Sequence, residues 1–265
     1  MRTFTNALGL ALRLALRLTL ILIFSGEFHV QAETNPAGTK SQENSPSTVG
    51  GGDSSVVFGR IFAPDGFDSN DNAQIVAEGE FRSSCSDVGR TSLQIDRSRF
   101  RITVGAAVHL KTGACSQGHF TFHRAISFGK LVPGQWTIKD AVSDAPLGRV
   151  EVKNASSNPE VEPKYAAVEK VYSKVGPQSA QLMVTGNYLN SCSGLSEVRV
   201  QIQQDVIVLE PIVQTSAGNN CVKGKFPFSS WTSLDFLKPG RFLIHVRTAQ
   251  GQSLNSIIDV PGDAL

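Results

Sequence analysis

From about Val56 onward, apolar and polar residues alternate along the chain with a period of two. Leu93 and Ile95 are separated by Gln94, and Phe100, Ile102 and Val104 by Arg101 and Thr103, with Arg97-Ser98 between the two runs. A period of two turns one strand face to a core and the other to water, so these runs predict a β-hairpin. The pattern returns as Val198, Val200 and Ile202, followed by Val206 and Val208. Phe120 and Phe122 open a further strand. Leu131-Val132-Pro133-Gly134 reads as a turn, in which Pro fixes φ and Gly supplies the permissive position. Trp136 and Ile138 leave that turn, matched later by Phe242, Ile244 and Val246, and Val150 with Val152 and Ile258 with Val260 form closing strands. Beyond the N-terminal segment no stretch sustains a 3.6-residue period, and an all-β fold is predicted.

The recurrence is a duplication. Gly79, Cys85-Ser86, Cys115, Phe120-x-Phe122 and Leu131-x-Pro133-Gly134 reappear as Gly186, Cys192-Ser193, Cys221, Phe226-x-Phe228 and Leu237-x-Pro239-Gly240. The offset is 107 residues at the first cysteine and 106 at the second. The expected layout is a signal peptide (1–32), a flexible linker (33–55), one β-sandwich repeat (56–153), a linker (154–163) and a second β-sandwich repeat (164–265). About seven short strands per copy, with turns at regular spacing, predict two tandem antiparallel β-sandwich domains.

The run Leu237-Lys238-Pro239-Gly240-Arg241-Phe242-Leu243-Ile244-His245-Val246 resembles the late strands of immunoglobulin-like and fibronectin-III-like modules of secreted bacterial proteins. It is equally similar to the F-x-F … L-x-P-G-x-Y ending of transthyretin-like modules on bacterial surface proteins. The resemblance spans about 30 residues per repeat and implies an Ig-like sandwich that binds, spaces or adheres. The cysteines depart from the immunoglobulin pattern, because Cys85 sits in a Ser-Ser-Cys-Ser turn and no Trp lies between the pair.

Composition sharpens the compartment. Arg2, Arg13 and Arg17, an apolar run from Leu18 to Phe24 and the small-residue site Val30-Gln31-Ala32 follow the order of a secretory signal, with cleavage expected after Ala32. An uncleaved membrane anchor is the rival, disfavoured by the two arginines inside the span. Residues 33–55 hold almost nothing apolar and read as a tether. The chain after Ala32 carries 22 basic and 22 acidic residues, a balance without the field a nucleic-acid binder uses. Four cysteines behind a secretory signal imply disulfides, and duplication selects Cys85 with Cys115 and Cys192 with Cys221. Loops of this length are closed with a gain of roughly 3–4 kcal/mol each. A zinc site is disfavoured by the lack of C-x-x-C and of partnering histidines.

Candidate chemistry is sparse. On a strand, His119 and His123 point outward with Thr121 and stand about 13 Å apart, too far to share one metal ion. Asp65, Asp68, Asn70, Asp71 and Asn72 make an acidic loop, but Ala73 and Gly79 occupy the positions an EF-hand gives to Gly and Glu, so an Asx-rich turn is expected. No G-x-S-x-G motif occurs, and no catalytic residue, metal or cofactor is assigned. Trp231 stands opposite Ala125 in the repeat alignment and fits either a surface anchor or a core position.

Arg97, Arg99 and Arg101, with Arg90 nearby, form a basic hairpin in the first copy alone, the best candidate for contact with an anionic glycan, lipid headgroup or acidic partner. A solvated sheet face is the plainer alternative. The expectation is a secreted, extracytoplasmic, non-enzymatic binding or adhesion protein with a protein or glycan ligand. The alternatives are an envelope assembly component that pairs strand edges, and a secreted enzyme or protease inhibitor.

Overall fold

The computed structural model describes residues 55–157, 163–216 and 220–262. The expected signal peptide, its linker up to residue 54, and residues 158–162 of the expected connector lie outside the described residues. The rest is all-β, with a single 3₁₀ turn at Ala249–Gly251. The first half contributes β1 (Ser55–Val56), β2 (Phe58–Phe62), β3 (Phe67–Asp68), β4 (Ala73–Ser83), β5 (Ser86–Asp96), β6 (Arg101–Leu110), β7 (Gln117–Gly129), β8 (Gly134–Asp140) and β9 (Pro146–Lys153). The second contributes β10 (Ala167–Gly176), β11 (Ser179–Asn190), β12 (Ser193–Gln203), β13 (Val206–Thr215), β14 (Lys223–Leu234), β15 (Gly240–Thr248) and β16 (Gln252–Val260).

Each half is sandwich-like. In the second, β10-β11-β14 faces β12-β13-β15-β16; in the first, β2-β4-β7 faces a sheet built on β5, β6, β8 and β9, to which β1 and β3 add. The expectation of purely antiparallel sheets is corrected here. β6 pairs with β8 in parallel, as β13 does with β15, and the short β3 is parallel to β9. The hairpin places its second strand, not its first, beside the strand after the Pro-Gly turn. The first strand is thereby left at an edge, which explains why Leu93 and Ile202, expected to be inward, are 41% and 49% exposed.

The residues shared by both copies have local causes. Leu131 and Leu237 are buried plugs before the turn, and Gly134 and Gly240 leave it at φ 150° and 143°. A Cβ on Gly134 would lie 2.4 Å from the Phe100 ring, which packs edge-on against Trp136. Gly186 faces a β-bulge between Val168 and Lys170, where a Cβ would come within 2.1 Å of the Ala167 carbonyl oxygen. Gly79 faces the equivalent bulge between Phe58 and Arg60, and a Cβ there would meet the Phe122 ring at 2.5 Å. Phe122 stacks on Phe81 and Phe228 on Tyr188, the same pair in each copy. Both predicted disulfides are present, Cys85–Cys115 and Cys192–Cys221. In each half the bond ties the turn before the hairpin to the loop after it. Two intrachain disulfides point to an oxidising compartment.

The halves are not separated by solvent. One core lies between the sheets of the first half, around Phe58, Ile75, Ile102, Trp136 and Val150. A second lies within the other half, around Leu182, Ile207, Leu209, Phe242 and Ile244. A third joins Phe62 and Val76 to Val206, Val208 and Leu243. The outer face of β2-β4-β7 is therefore covered by the outer face of β13 and β15, and the four sheets stack as successive layers. The alternation read for β13 is corrected: Ile207 and Leu209 enter their own half's core, while Val206 and Val208 turn to the other half.

Ion pairs ring this contact. Arg60 bonds Asp205, Arg241 bonds Glu78 at 2.9 Å, and Arg247 donates to the Asp65 carbonyl oxygen at 3.0 Å. Arg247 also lies 3.5 Å from both Asp71 and Glu210. Burial alone would raise the Glu78 pKa, but hydrogen bonds from Arg241 and His123 outweigh it and hold the carboxyl below its ordinary value.

The shared layer predicts one cooperative unfolding transition for both halves. Leu243→Ala should lower stability by about 2–4 kcal/mol in urea titrations while the two halves still unfold together. A wild-type curve with two separate transitions would refute the shared-layer account.

Candidate functional site

The basic hairpin is shaped by one carboxylate. Asp96 Oδ1 accepts from the Ser98 N–H at 3.1 Å, the Arg99 N–H at 3.1 Å and the Ser98 hydroxyl at 2.7 Å, closing an Asx turn over residues 97–100. The Ser98 hydroxyl bond leads the causes that keep the Asp96 carboxyl below its ordinary pKa. The turn ends with Phe100 at φ 50°, so β6 starts at Arg101 rather than at Phe100 as the alternation suggests. Arg97 and Arg99 therefore project from the turn, and only Arg101 stands on the outer sheet face; the expected alternation of Arg99 and Arg101 along one strand is corrected.

Cross-strand register then adds what the linear sequence hides. Arg101 lies opposite Asp96 on one side and Thr137 on the other, and Thr137 lies opposite Arg149. Ile102, Ile138 and Val150 beneath are fully buried, so the row Asp96–Arg101–Thr137–Arg149 crosses the solvent face of four strands. Arg149 was missed because its proximity depends on the parallel pairing of β6 and β8. Lys139, one register on, bonds Asp144 at 2.7 Å, and this bond holds the exposed Asp144 carboxyl below its usual range. Among the described residues, Arg97, Arg101 and Arg149 have no carboxylate within ion-pair distance, while Arg99 lies 3.6 Å from Asp96.

The other candidates fall elsewhere. His119 and His123 share the outer face of β7, as the alternation predicts. His119 faces Glu80 at 3.0 Å and Arg82 at 2.7 Å, and His123 bonds Glu78 at 2.8 Å within the contact between the halves. The acidic loop is an Asx turn: Asp68 Oδ1 accepts from the Asn70 N–H at 2.7 Å, and Asp71 Oδ2 from the Asp68 N–H at 2.9 Å. No group of three His, Cys, Asp or Glu side chains converges on a metal-sized point among the described residues. Trp231 is a surface residue, 53% exposed on β14.

A feature that alternation could not reveal is buried at the contact. His245 is fully buried on β15, edge-on to Phe67. Its Nδ1–H donates to Asn255 Oδ1 at 2.9 Å, and Asn255 Nδ2–H donates to Gln74 Oε1 at 3.1 Å, which leaves Nε2 without a partner among the described residues. Beside it, Phe67, Asp71, Tyr165, Arg247 and Thr248 line a small half-open pocket of about 10 Å³, room for a single water. Burial chiefly, with the Arg247 charge nearby, lowers the imidazole pKa to about 4.

Searches against family models, curated proteins and solved structures give no match to this chain.

His245 generates a pH prediction with a definite sign. The unfolded imidazole protonates near 6.5 and the folded one near 4, so its contribution is complete above about pH 6.5 and is lost as pH falls towards 4. The wild type should lose roughly 2–3 kcal/mol more than His245→Gln between pH 7.5 and pH 4.5 in urea unfolding. Parallel losses for the two proteins would refute a neutral, buried His245.

Proposed function

We propose a secreted, non-enzymatic binding or adhesion protein, built from two Ig-like modules, that engages an anionic ligand through the basic sheet face of its first half. The observation that carries this reading is the set of Arg97, Arg101 and Arg149, held on a turn and a flat face over a rigid core. Guanidinium groups with no carboxylate within ion-pair distance among the described residues retain their forked donors for sulfate or carboxylate groups of a ligand. Arg101 and Arg149 stand two strands apart, about 10 Å, a separation that suits repeated anionic groups rather than one small ion. The three-against-four division of strands in the second half supports the Ig-like reading, with the parallel β13–β15 pair as its distinguishing trait. The disulfides support an extracytoplasmic site of action. Strand-edge assembly finds less support, since the edge strand β14 carries Lys223, Lys225 and Pro227, residues that blunt an edge.

The test compares dextran sulfate with neutral dextran as ligands for the oxidised chain lacking residues 1–32, by titration calorimetry. Binding to the sulfated polymer alone is expected, weakened at least tenfold by Arg97→Ser with Arg101→Ser and Arg149→Ser, and by raised salt. Undiminished binding by the triple variant would remove this face from the function.

A further inference from the structure

The intrachain contact shows what a face of this kind is used for, and the second half repeats that face without a cover among the described residues. In the first half, Phe62, Val76 and Ala125 form a row across β2, β4 and β7 in direct cross-strand register. Phe62 and Val76 are 0% and 3% exposed because Val206, Val208 and Leu243 lie over them. The same register in the second half holds Tyr172, Met183 and Trp231 across β10, β11 and β14. Met183 lies 107 positions after Val76 and Trp231 106 after Ala125, the offsets of the first and second cysteines. The β-bulges on β2 and β10 also coincide, which aligns Phe62 with Tyr172 and Arg60 with Lys170.

Large side chains thus occupy the second row, yet Trp231 is 53% exposed and none of the three belongs to a buried cluster. Lys170, at the position of the Arg60 that bonds Asp205, is exposed beside them, as is Lys174, while the neighbouring Glu169 is taken up by Asn187 at 2.7 Å. We infer that the Tyr172–Met183–Trp231 face is a docking surface for another protein, which covers it with the apolar outer face of a β-sheet carrying a carboxylate opposite Lys170. This rests on the binding role proposed above and adds a second face, with a different class of partner.

A second copy of this chain does not meet the requirement. A two-fold stack with β10 over β10 would set Lys170 of one copy against Lys174 of the other, and one with β10 over β14 would set them against Ser229 and Ser233, so neither register places a carboxylate opposite Lys170. A head-to-tail stack would offer the outer face of the first half, where Arg101, Thr103 and Thr137 stand at the register positions of Val206, Val208 and Leu243. Aromatic and Met side chains on a flat sheet are the anchors that protein partners bury, and a cationic rim selects an acidic one.

The chain itself can supply the probe. Arg101→Val, Thr103→Val and Thr137→Leu would give the first half the outer face that covers Phe62 and Val76. Under oxidising conditions the wild type should sediment as a monomer, and the grafted chain should form head-to-tail oligomers in the micromolar range. Trp231→Ala in the grafted chain should weaken that association at least tenfold. Adding Phe100→Asp, which sets a carboxylate at the position of Asp205, should tighten it, and Lys170→Glu should reverse the gain. A graft of Arg101→Val and Thr103→Val alone keeps the test open if the fuller graft does not fold, as judged by circular dichroism and disulfide mapping. Monomeric folded grafts, or oligomers indifferent to Trp231→Ala, would overturn the assignment. A wild-type dimer dissolved by Trp231→Ala would overturn it in favour of a second copy. No polyanion is present, so the outcome is independent of the dextran sulfate result.

Discussion

A β-strand has two faces, and in this protein β4, β13 and β15 have both of them buried over most of their length. That constraint organises the rest. One face of β4 lines the core of the first half and the other meets the second half; β13 and β15 do the same from the opposite side. A strand buried on both sides cannot alternate apolar with polar, and β13 accordingly reads Val206-Ile207-Val208-Leu209. Polar groups trapped in the same layer must find partners there. Gln74, Asn255 and His245 form one chain of hydrogen bonds, and Glu78, His123 and Arg241 form another cluster.

The outermost faces differ from this central layer and from each other. The first half ends in a polar sheet with Arg101, Thr137 and Arg149, held level by buried Ile102, Ile138 and Val150. The second ends in Tyr172, Met183 and Trp231, with Lys170 and Lys174 flanking Tyr172 on β10. The repeat gives β2-β4-β7 and β10-β11-β14 the same scaffold, but the first is covered by the other half and the second forms an outermost face. The disulfides sit at the turns and take no part in either face, so they brace the sandwiches without limiting what the sheets present.

Much of this was legible from the residues alone. Period-two alternation found the hairpins, the two copies of the cysteine pattern selected the correct disulfide pairing, and the shared Gly, Phe and Leu-x-Pro-Gly positions proved to be packing constraints. What alternation could not show was which strand lies beside which. It read Val206 and Val208 as core of their own half, although the uninterrupted apolar run was the available sign that a second surface covers them. It also placed Phe100 in a strand, because an Asx turn closed by Asp96 depends on side-chain hydrogen bonds that hydropathy does not register. Arg149 joined the basic row only through the parallel pairing of β6 with β8, a long-range fact without a local trace. The repeat alignment had set Trp231 opposite Ala125, but only the contact between the halves gave that difference a meaning.

The parallel pairs also bear on how the chain reaches this structure. Between β13 and β15 the backbone crosses to the other sheet to lay down β14, so the pair closes only after a distant segment has been placed. Such closures forfeit chain entropy before any contact rewards them, and topologies rich in them fold in milliseconds to seconds rather than microseconds. The β12–β13 and β5–β6 hairpins can form on their own, which leaves the apolar β13 uncovered while β15 is still unplaced. A newly made chain would therefore pass through an interval in which Val206–Leu209 is open to wrong partners, and chaperone capture or rapid oxidation would act on that interval.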